Sequence, residues 1–259
     1  MLINEIDLKI LKPKINNAAL EAIYWWNRTE GYYHSYFYNY DKKIHKTKCE
    51  SIFINNIFEV FLREYSIRRN FASGKHNPKI LLDNLIQLDF FKEIKKSNIQ
   101  IIDIVSEKLK LVPTKNVEGK IVSLTNNNKT TSLLSKIAFL INPSTYFLND
   151  TLVTDSVNQL TKGVKFEKTE EFDHYLKFYK KVNYIENYFS ENNLFEKPFN
   201  VLENFKETEA YSYFGSNKKA FKQRIVDKYL WLNKINEERV KNGEVEVDNI
   251  NLNLLYKSI

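Results

Sequence analysis

Glycine and proline are scarce in this sequence, with six glycines and five prolines among 259 residues. Sandwich and barrel folds need many turns built on these two residues, so the composition argues against an all-β architecture. Hydrophobic residues make up 43% of the chain, which excludes an intrinsically disordered protein. Long amphipathic stretches dominate instead, and we predict an all-α fold, mostly helical with a few short strands at most.

Cysteine is nearly absent, since Cys49 is the only one. A disulfide framework within one chain and a zinc site built on thiolates are therefore both excluded. Four histidines are present, and none of them has metal-ligand spacing: His34, His45, His76 and His174. We predict no metal and no organic cofactor.

Long hydrophobic runs are also missing. No apolar stretch approaches the roughly 20 residues that span a bilayer. The first residues, MLINEIDLKILKPK, lack the apolar core of a signal peptide. We therefore expect a cytoplasmic protein with no membrane partner.

Basic residues exceed acidic ones, at 39 against 32, which gives a formal net charge of +7. A positive excess suits a polyanionic partner, because each neutralised phosphate releases counterions. Aromatic residues make up 14% of the chain, and aromatic rings beside cations can stack on bases. These features favour a nucleic-acid partner, although Lys-rich proteins without one have a similar balance.

The periodicity of apolar residues predicts helices through most of the chain. We expect one compact helical unit over residues 1–259, with two lobes and a cleft between them. The segment 130–160 is expected to form one wall of the cleft. An extended piece is expected at 120–124. Helices are predicted at about 16–30, 47–69, 79–95, 99–109, 131–142, 150–162, 169–190 and 217–241.

Lys136 lies within the predicted helix 131–142, about 100° from the centre of its apolar stripe. This places the lysine at the margin of the buried face. Desolvation and the positive end of the helix dipole would both lower its pKa and favour the neutral, nucleophilic amine. The alternative is a lysine that simply extends its amine to water at the helix edge.

Asp150 opens the next predicted helix, 14 residues after Lys136 (150 − 136 = 14). A helix ended by Pro143 and followed by a reversing loop would bring the amine and the carboxylate to one cleft. The alternative for Asp150 is a purely structural role as the N-cap of the helix. Asp155 is a weaker candidate for the same chemistry.

The order of these features resembles the helix-hairpin-helix DNA glycosylases, in their 8-oxoguanine-glycosylase-like branch. The matching features are Ser135-Lys136, an apolar helix, a Pro-containing turn, an apolar triplet and Asp150, and the segment at 120–160 corresponds to the motif. The resemblance implies that Lys136 attacks the sugar C1′ and that Asp150 stabilises the developing sugar cation. It also implies DNA as the partner. Because divergent members act in anti-phage defence, the substrate would include a modified phage base.

Contacts to DNA are expected at two places. The hairpin of the family carries glycines, whereas residues 125–130 here contain none, so Asn127, Asn128 and Lys129 are the expected phosphate contacts. The last helix carries Lys218, Lys219 and Lys222, followed by Arg224 and Lys228, which are expected to form a basic surface. The alternative is an ordinary solvated helix face. The basic residues lie around an apolar row, predicted to be the core face of the helix: Phe221, Ile225, Tyr229 and Leu232.

Four aromatic residues are candidates for a base pocket: Trp25, Trp26, Tyr33 and Tyr36. Core packing is the alternative for them, above all for Trp26, which fits the apolar face of its helix.

We therefore expect a DNA glycosylase, with or without lyase activity, that excises a flipped damaged or modified base. If Lys136 is not the nucleophile, Asp150 would activate water and leave an abasic site. Two other interpretations stay open: a non-catalytic DNA-binding or defence regulatory protein with the same fold, and a helical protein–protein adaptor.

Overall fold

The computed structural model describes residues 2–43, 54–65, 77–125, 130–167, 173–244 and 246. Within these ranges the fold is all-α, as predicted, with a single pair of short strands. No helix of the described part combines the length and the apolar character needed to cross a membrane.

The helices occur in the following order along the chain. The α-helices are α1 (Leu8–Trp25), α2 (Gly31–Lys43), α3 (Glu59–Glu64), α4 (Asn77–Gln87), α5 (Phe90–Lys95), α6 (Ile101–Lys110), α7 (Thr131–Ile141), α8 (Thr151–Leu160), α9 (His174–Glu191), α10 (Glu196–Leu202), α11 (Glu209–Phe214) and α12 (Lys218–Lys241). The described part of the chain also contains π-helical segments at Trp26–Glu30 and Ile54–Phe58 and 3-10 turns at Ile3–Glu5 and Glu203–Phe205.

The observed helices differ from the predicted ones in several places. The aromatic stretch 31–40, which had no predicted structure, is helical because Tyr33, Phe37 and Tyr40 recur at helical spacing and are all buried. The helix predicted at 79–95 is divided into α4 and α5, because Asp89 adopts a left-handed conformation with φ 53°. Of the helix predicted at 47–69, the structure describes residues 54–65, which form the π-helical segment Ile54–Phe58 followed by α3, and the rest lies outside the described residues.

The chain forms two compact units. The first comprises Met1–Tyr32, Pro143–Thr169 and Lys177–Ile259, and the second comprises Tyr33–Asn142 and Glu170–Leu176. The segment 130–160, predicted to form one cleft wall, is thus divided between the units after Asn142.

In the first unit, α12 packs against both α1 and α8, and α10 packs against α1. Buried alanines at positions 18, 19 and 22 let the backbone of α1 approach its neighbours closely. The predicted apolar row of α12 is buried, which confirms that face of the helix: Phe221, Ile225, Tyr229 and Leu232. Trp26 stacks on Tyr213, with 4.4 Å between ring centres.

In the second unit, α7 packs against α5 and α6. The strands β1 (Pro113–Lys115) and β2 (Ile121–Ser123) pair antiparallel, with Thr114 opposite Val122. Gly119 supplies the positive φ of 77° that the connecting turn requires.

Candidate functional site

Lys136 lies in the middle of α7, and its side chain is only 9% exposed. Its Nζ donates a hydrogen bond of 3.3 Å to Oγ of Ser132 in the first turn of the helix. The same nitrogen lies 5.7 Å from the ring centre of Tyr65. The amine is therefore held beside the N-terminal turn of α7, on a mostly buried part of the second unit.

Asp150 is the N-cap of α8, in an extended conformation with φ −130° and ψ 175°. Its Oδ1 accepts a hydrogen bond of 2.9 Å from the backbone N–H of Val153, which fixes the carboxylate at the helix start. The capping role considered from the sequence is thus present. Asp155, the weaker candidate, is exposed on the same helix.

Lys136 belongs to the second unit and Asp150 to the first. Asp150 is near Asp227 in the first unit, and its negative charge raises the pKa of the Asp227 carboxyl group. Asp150 thus lies beside a set of buried charges that the sequence did not predict.

We call these charges the ionic cluster: Glu21, Glu30, Arg224, Asp227 and Lys228, all of them buried. Arg224 is its centre, since one guanidinium nitrogen donates to Glu30 and another donates to Asp227. Glu21 is on α1 and Glu30 is the last residue of the π-helical segment, whereas the other three residues of the cluster are on α12. π-helical segments inside α-helices occur frequently at functional sites.

Burial raises the pKa of Asp227 to about 6, against the opposing charges of Arg224 and Lys228. The negative charges of Asp150 and Glu30 raise it further. Within the described residues, Oδ1 of Asp227 and Oε2 of Glu30 are buried and have no hydrogen-bond partner. The cluster contains three carboxylates and two cations, so a proton on Asp227 removes an uncompensated buried charge.

Lys228 shows the opposite shift. Burial, followed by the charge of Arg224, lowers its pKa to about 7, while Glu30, Asp227 and Glu21 act against this decrease. Its Nζ lies 4.5 Å from the ring centre of Trp25 and 5.2 Å from that of Trp231.

The pKa of the acid Asp227 is raised and the pKa of the amine Lys228 is lowered, so the two values lie closer together than in water. Perturbed groups of this kind are concentrated at functional sites, although structural ion networks also produce them. The cluster and Asp150 together are therefore the most chemically unusual place in the described part of the first unit.

The sequence placed Arg224 and Lys228 on an exposed basic surface, and this prediction is wrong. Both side chains are buried, because Glu30 and Asp227 supply partners that allow charges to leave water. The opposite charges of Arg224 and Asp227 at positions i and i+3 were a usable signal in the sequence. Glu30 was not predictable, since 194 residues separate it from Arg224.

The other residues predicted to contact DNA differ in exposure, and some of them lie outside the described residues. Asn127, Asn128 and Lys129 lie outside the described residues. Lys218 and Lys219 are exposed, whereas Lys222 is half-buried.

Part of this basic row has partners within the chain. Nζ of Lys218 lies 5.6 Å from the ring centre of Phe199, and Nζ of Lys222 lies 5.1 Å from that of Phe195. Lys219 and Lys222 also lower the pKa of Glu186, which burial raises. The positive charge of the predicted basic surface is therefore partly neutralised within the chain.

The predicted base-pocket residues form two groups that differ in burial. Trp26 is buried against Tyr213, and Tyr33 is buried with its hydroxyl donating to Oε2 of Glu64 at 2.6 Å, so both pack in the core. Trp25 and Tyr36 are half-buried. Trp25 donates its indole N–H to Oε2 of Glu21 at 3.0 Å and is thereby attached to the ionic cluster.

Comparisons with known proteins identify no relative: no family model, no curated protein and no solved structure matches this chain. The described residues also contain no group of three or more His, Cys, Asp or Glu side chains arranged to hold a metal ion.

Proposed function

We propose that this chain is a DNA glycosylase that excises a flipped, damaged or modified base, with Lys136 as the attacking amine and Asp150 as the carboxylate. The observation that supports this most is the position of Lys136, a buried amine beside the first turn of α7. An amine removed from water and placed near the positive end of a helix is a better nucleophile than an exposed lysine.

In the proposed reaction, the amine of Lys136 forms a bond with C1′ of the flipped nucleotide. The bond between C1′ and the base nitrogen breaks, and its electron pair leaves with the base, which takes up a proton. Opening of the sugar then gives a Schiff base, which water hydrolyses or which permits strand cleavage.

The role proposed for Asp150 is electrostatic. Positive charge develops on the sugar as the base leaves, and a fixed carboxylate stabilises that charge without reorganisation. The hydrogen bond from Val153 holds the Asp150 carboxylate in one position, as this role requires. The net charge of +7 and the exposed Lys218 and Lys219 favour DNA as the partner.

A second candidate, a non-catalytic DNA-binding protein, is favoured by the segment before α7. A helix-hairpin-helix motif joins two helices through a short hairpin. Here the antiparallel strands β1 and β2 lie between α6 and α7. A protein without the hairpin would still attract DNA through its positive charge, but it would not hold a DNA phosphate in a fixed position.

The decisive experiment measures abasic-site formation and released bases, by mass spectrometry, on duplexes that carry ordinary, oxidised, alkylated and phage-type modified bases. Wild type is compared with Lys136→Gln and Asp150→Asn. Lys108→Gln, an exposed lysine of the second unit, and Glu196→Gln, an exposed carboxylate of the first unit, are the matched controls.

We expect release of one base by wild type and by both controls, and at least a hundredfold slower release by the two site variants. Salt-sensitive DNA binding without any release would overturn the enzymatic proposal in favour of the binding protein. Release that survives Lys136→Gln and Asp150→Asn would show that the catalytic residues lie elsewhere. Absence of salt-sensitive binding would favour the protein–protein adaptor.

A further inference from the structure

A cleft of about 320 Å³ opens in the first unit, on a face of α1. Its lining is mainly apolar and comes from α1 and from the chain around the start of α11. The lining includes Ile23, Tyr24, Asn27, Phe205, Thr208 and Glu209. Small-molecule sites are typically concave, apolar and about 300–1,000 Å³ in volume, so this cleft suits a ligand of one or two rings.

Aromatic side chains contribute to two parts of the lining. Tyr24 is on α1, and Phe205 is on the 3-10 turn before α11; both are half-buried. The ring of Tyr24 is held by Arg28, whose Nη1 donates to the Tyr24 hydroxyl at 2.6 Å. A flat ring compound gains stacking and apolar contacts in such surroundings.

Two polar side chains lie together at the edge of this cleft. Oδ1 of Asn27 accepts a hydrogen bond of 2.8 Å from the backbone N–H of Ala210, which places Asn27 next to Glu209. Because Oδ1 is used in this way, the Nδ2 group of Asn27 is the part that remains for a ligand, and it is a donor.

The carboxylate of Glu209 is an acceptor at the same edge. A Cβ added at Gly31 would lie 3.2 Å from Oε2 of Glu209 and 3.0 Å from Nε1 of Trp26, so the carboxylate approaches the backbone that follows Asn27. The hydroxyl of Thr208 already donates to the carbonyl of Phe205 and accepts from the N–H of Tyr211. Asn27 and Glu209 therefore contribute a donor and an acceptor to the lining of one cleft.

We propose that this cleft binds a nucleobase, whose flat ring would lie against Tyr24 and Phe205 and whose polar edge would pair with Asn27 and Glu209. Every nucleobase carries a hydrogen-bond acceptor next to an N–H donor on its pairing edge. The Nδ2 amide of Asn27 would donate to the acceptor, and the Glu209 carboxylate would accept from the N–H. This site goes beyond base excision and requires neither Lys136 nor Asp150.

The test is isothermal titration calorimetry of the full chain with guanosine, adenosine, cytidine and uridine, and with indole as a flat ring that lacks the polar edge. We expect one nucleoside to bind with one-to-one stoichiometry and more tightly than indole. Glu209→Gln removes a charge-assisted hydrogen bond and should raise the Kd about tenfold. Glu207→Gln, an exposed neighbour outside the lining, should leave the Kd unchanged.

Asn27→Asp is the second variant, because it keeps the acceptor for Ala210 and removes the Nδ2 donor. We expect this variant to raise the Kd for the same nucleoside. A short single-stranded DNA is titrated in parallel: tighter, salt-dependent binding would identify a base within a strand as the ligand, and equal binding would identify the free nucleoside.

Three results would overturn the proposal: no nucleoside binding at millimolar concentration, indole binding as tight as the nucleoside, or equal effects of Glu209→Gln and Glu207→Gln. A Lys136→Gln variant should bind the nucleoside as wild type does. Failure of base excision and failure of this site are therefore distinguishable.

Discussion

Glu30 and Arg224 form a buried ion pair across 194 residues of sequence. Glu30 ends the π-helical segment after α1, Arg224 is on α12, and each side chain is 2% exposed. Taking two charges out of water is costly, and only close geometry with further hydrogen bonds compensates for it. Arg224 meets this condition by donating to Asp227 as well, so the guanidinium connects α12 with the π-helical segment.

Replacing the central guanidinium should destabilise the first unit strongly. Arg224→Met keeps an extended side chain but leaves Glu30 and Asp227 buried without their cation. We expect the free energy of unfolding to fall by about 3–5 kcal/mol, as when one partner of a buried ion pair is removed. Urea unfolding followed by circular dichroism measures this loss.

The control for this prediction is Lys222→Met, two residues earlier on α12. Lys222 is half-buried over the ring of Phe195, so its replacement should change the free energy of unfolding by less than about 1 kcal/mol. The double variant Glu30→Gln with Arg224→Met should recover part of the loss. Equal destabilisation by Arg224→Met and Lys222→Met would contradict the assignment of Arg224 as the centre of the cluster.

The sequence alone predicted the helix α12, but it did not predict the counter-charges that the charged residues of α12 meet. The apolar row from Phe221 to Leu232 recurs at helical spacing, so the helix and its core face were predictable. A helical pattern does not show which charged residue meets a distant counter-charge, and Arg224 and Lys228 were therefore placed in water. Lys136 and Asp150 were placed correctly in their helices because burial at a stripe margin and N-capping are local properties.

Stability of the protein should depend on the protonation of Asp227. Its pKa is raised to about 6 in the folded chain, from an ordinary value of 3.8, so the folded state binds this proton more tightly than the unfolded state. The resulting stabilisation is complete below about pH 4 and is lost as the pH rises through 6. Between these limits the loss amounts to about 1.4 kcal/mol per pH unit.

Asp227→Asn isolates this contribution, because asparagine keeps the shape of the side chain and does not titrate. We expect the wild type to lose stability relative to the variant from about pH 4 to pH 6, with a constant difference between them from there to about pH 7. The charges that face Asp227 are those of Arg224, Lys228, Asp150 and Glu30. Parallel curves for wild type and variant over this pH range would show that Asp227 is ionised throughout.

In the second unit, Asp103 of α6 holds the start of α9. Its carboxylate accepts hydrogen bonds from the backbone N–H groups of Tyr175 and Leu176, at 2.9 and 3.1 Å. Burial raises the pKa of Asp103, and these hydrogen bonds oppose that shift. A helix start capped by a residue 72 positions earlier was not predictable, because capping patterns are recognised only between sequence neighbours.

Asp103→Ala should therefore leave two backbone donors, the buried one of Tyr175 and the half-buried one of Leu176, without their acceptor and lower the free energy of unfolding by about 2–3 kcal/mol. Hydrogen exchange of the amides of Tyr175 and Leu176 should accelerate more than that of amides in α7. Glu107→Ala, on the same helix and paired with Lys110 near the surface, serves as the control and should cost less than about 1 kcal/mol. Unchanged exchange at both amides in Asp103→Ala would contradict this role.

Asp150 has two separable roles, as an N-cap and as a charge beside the ionic cluster. Asparagine caps helices as well as aspartate does, so Asp150→Asn should keep the stability of α8, whereas Asp150→Ala should cost about 1 kcal/mol. The charge has a separate readout: because Asp150 raises the pKa of Asp227, both variants should lower that pKa toward its ordinary value. Carboxyl NMR titration of Asp227 measures the shift. An unchanged pKa of Asp227 in both variants would show that Asp150 does not act on the cluster, and a purely structural N-cap would then be the better description of this residue.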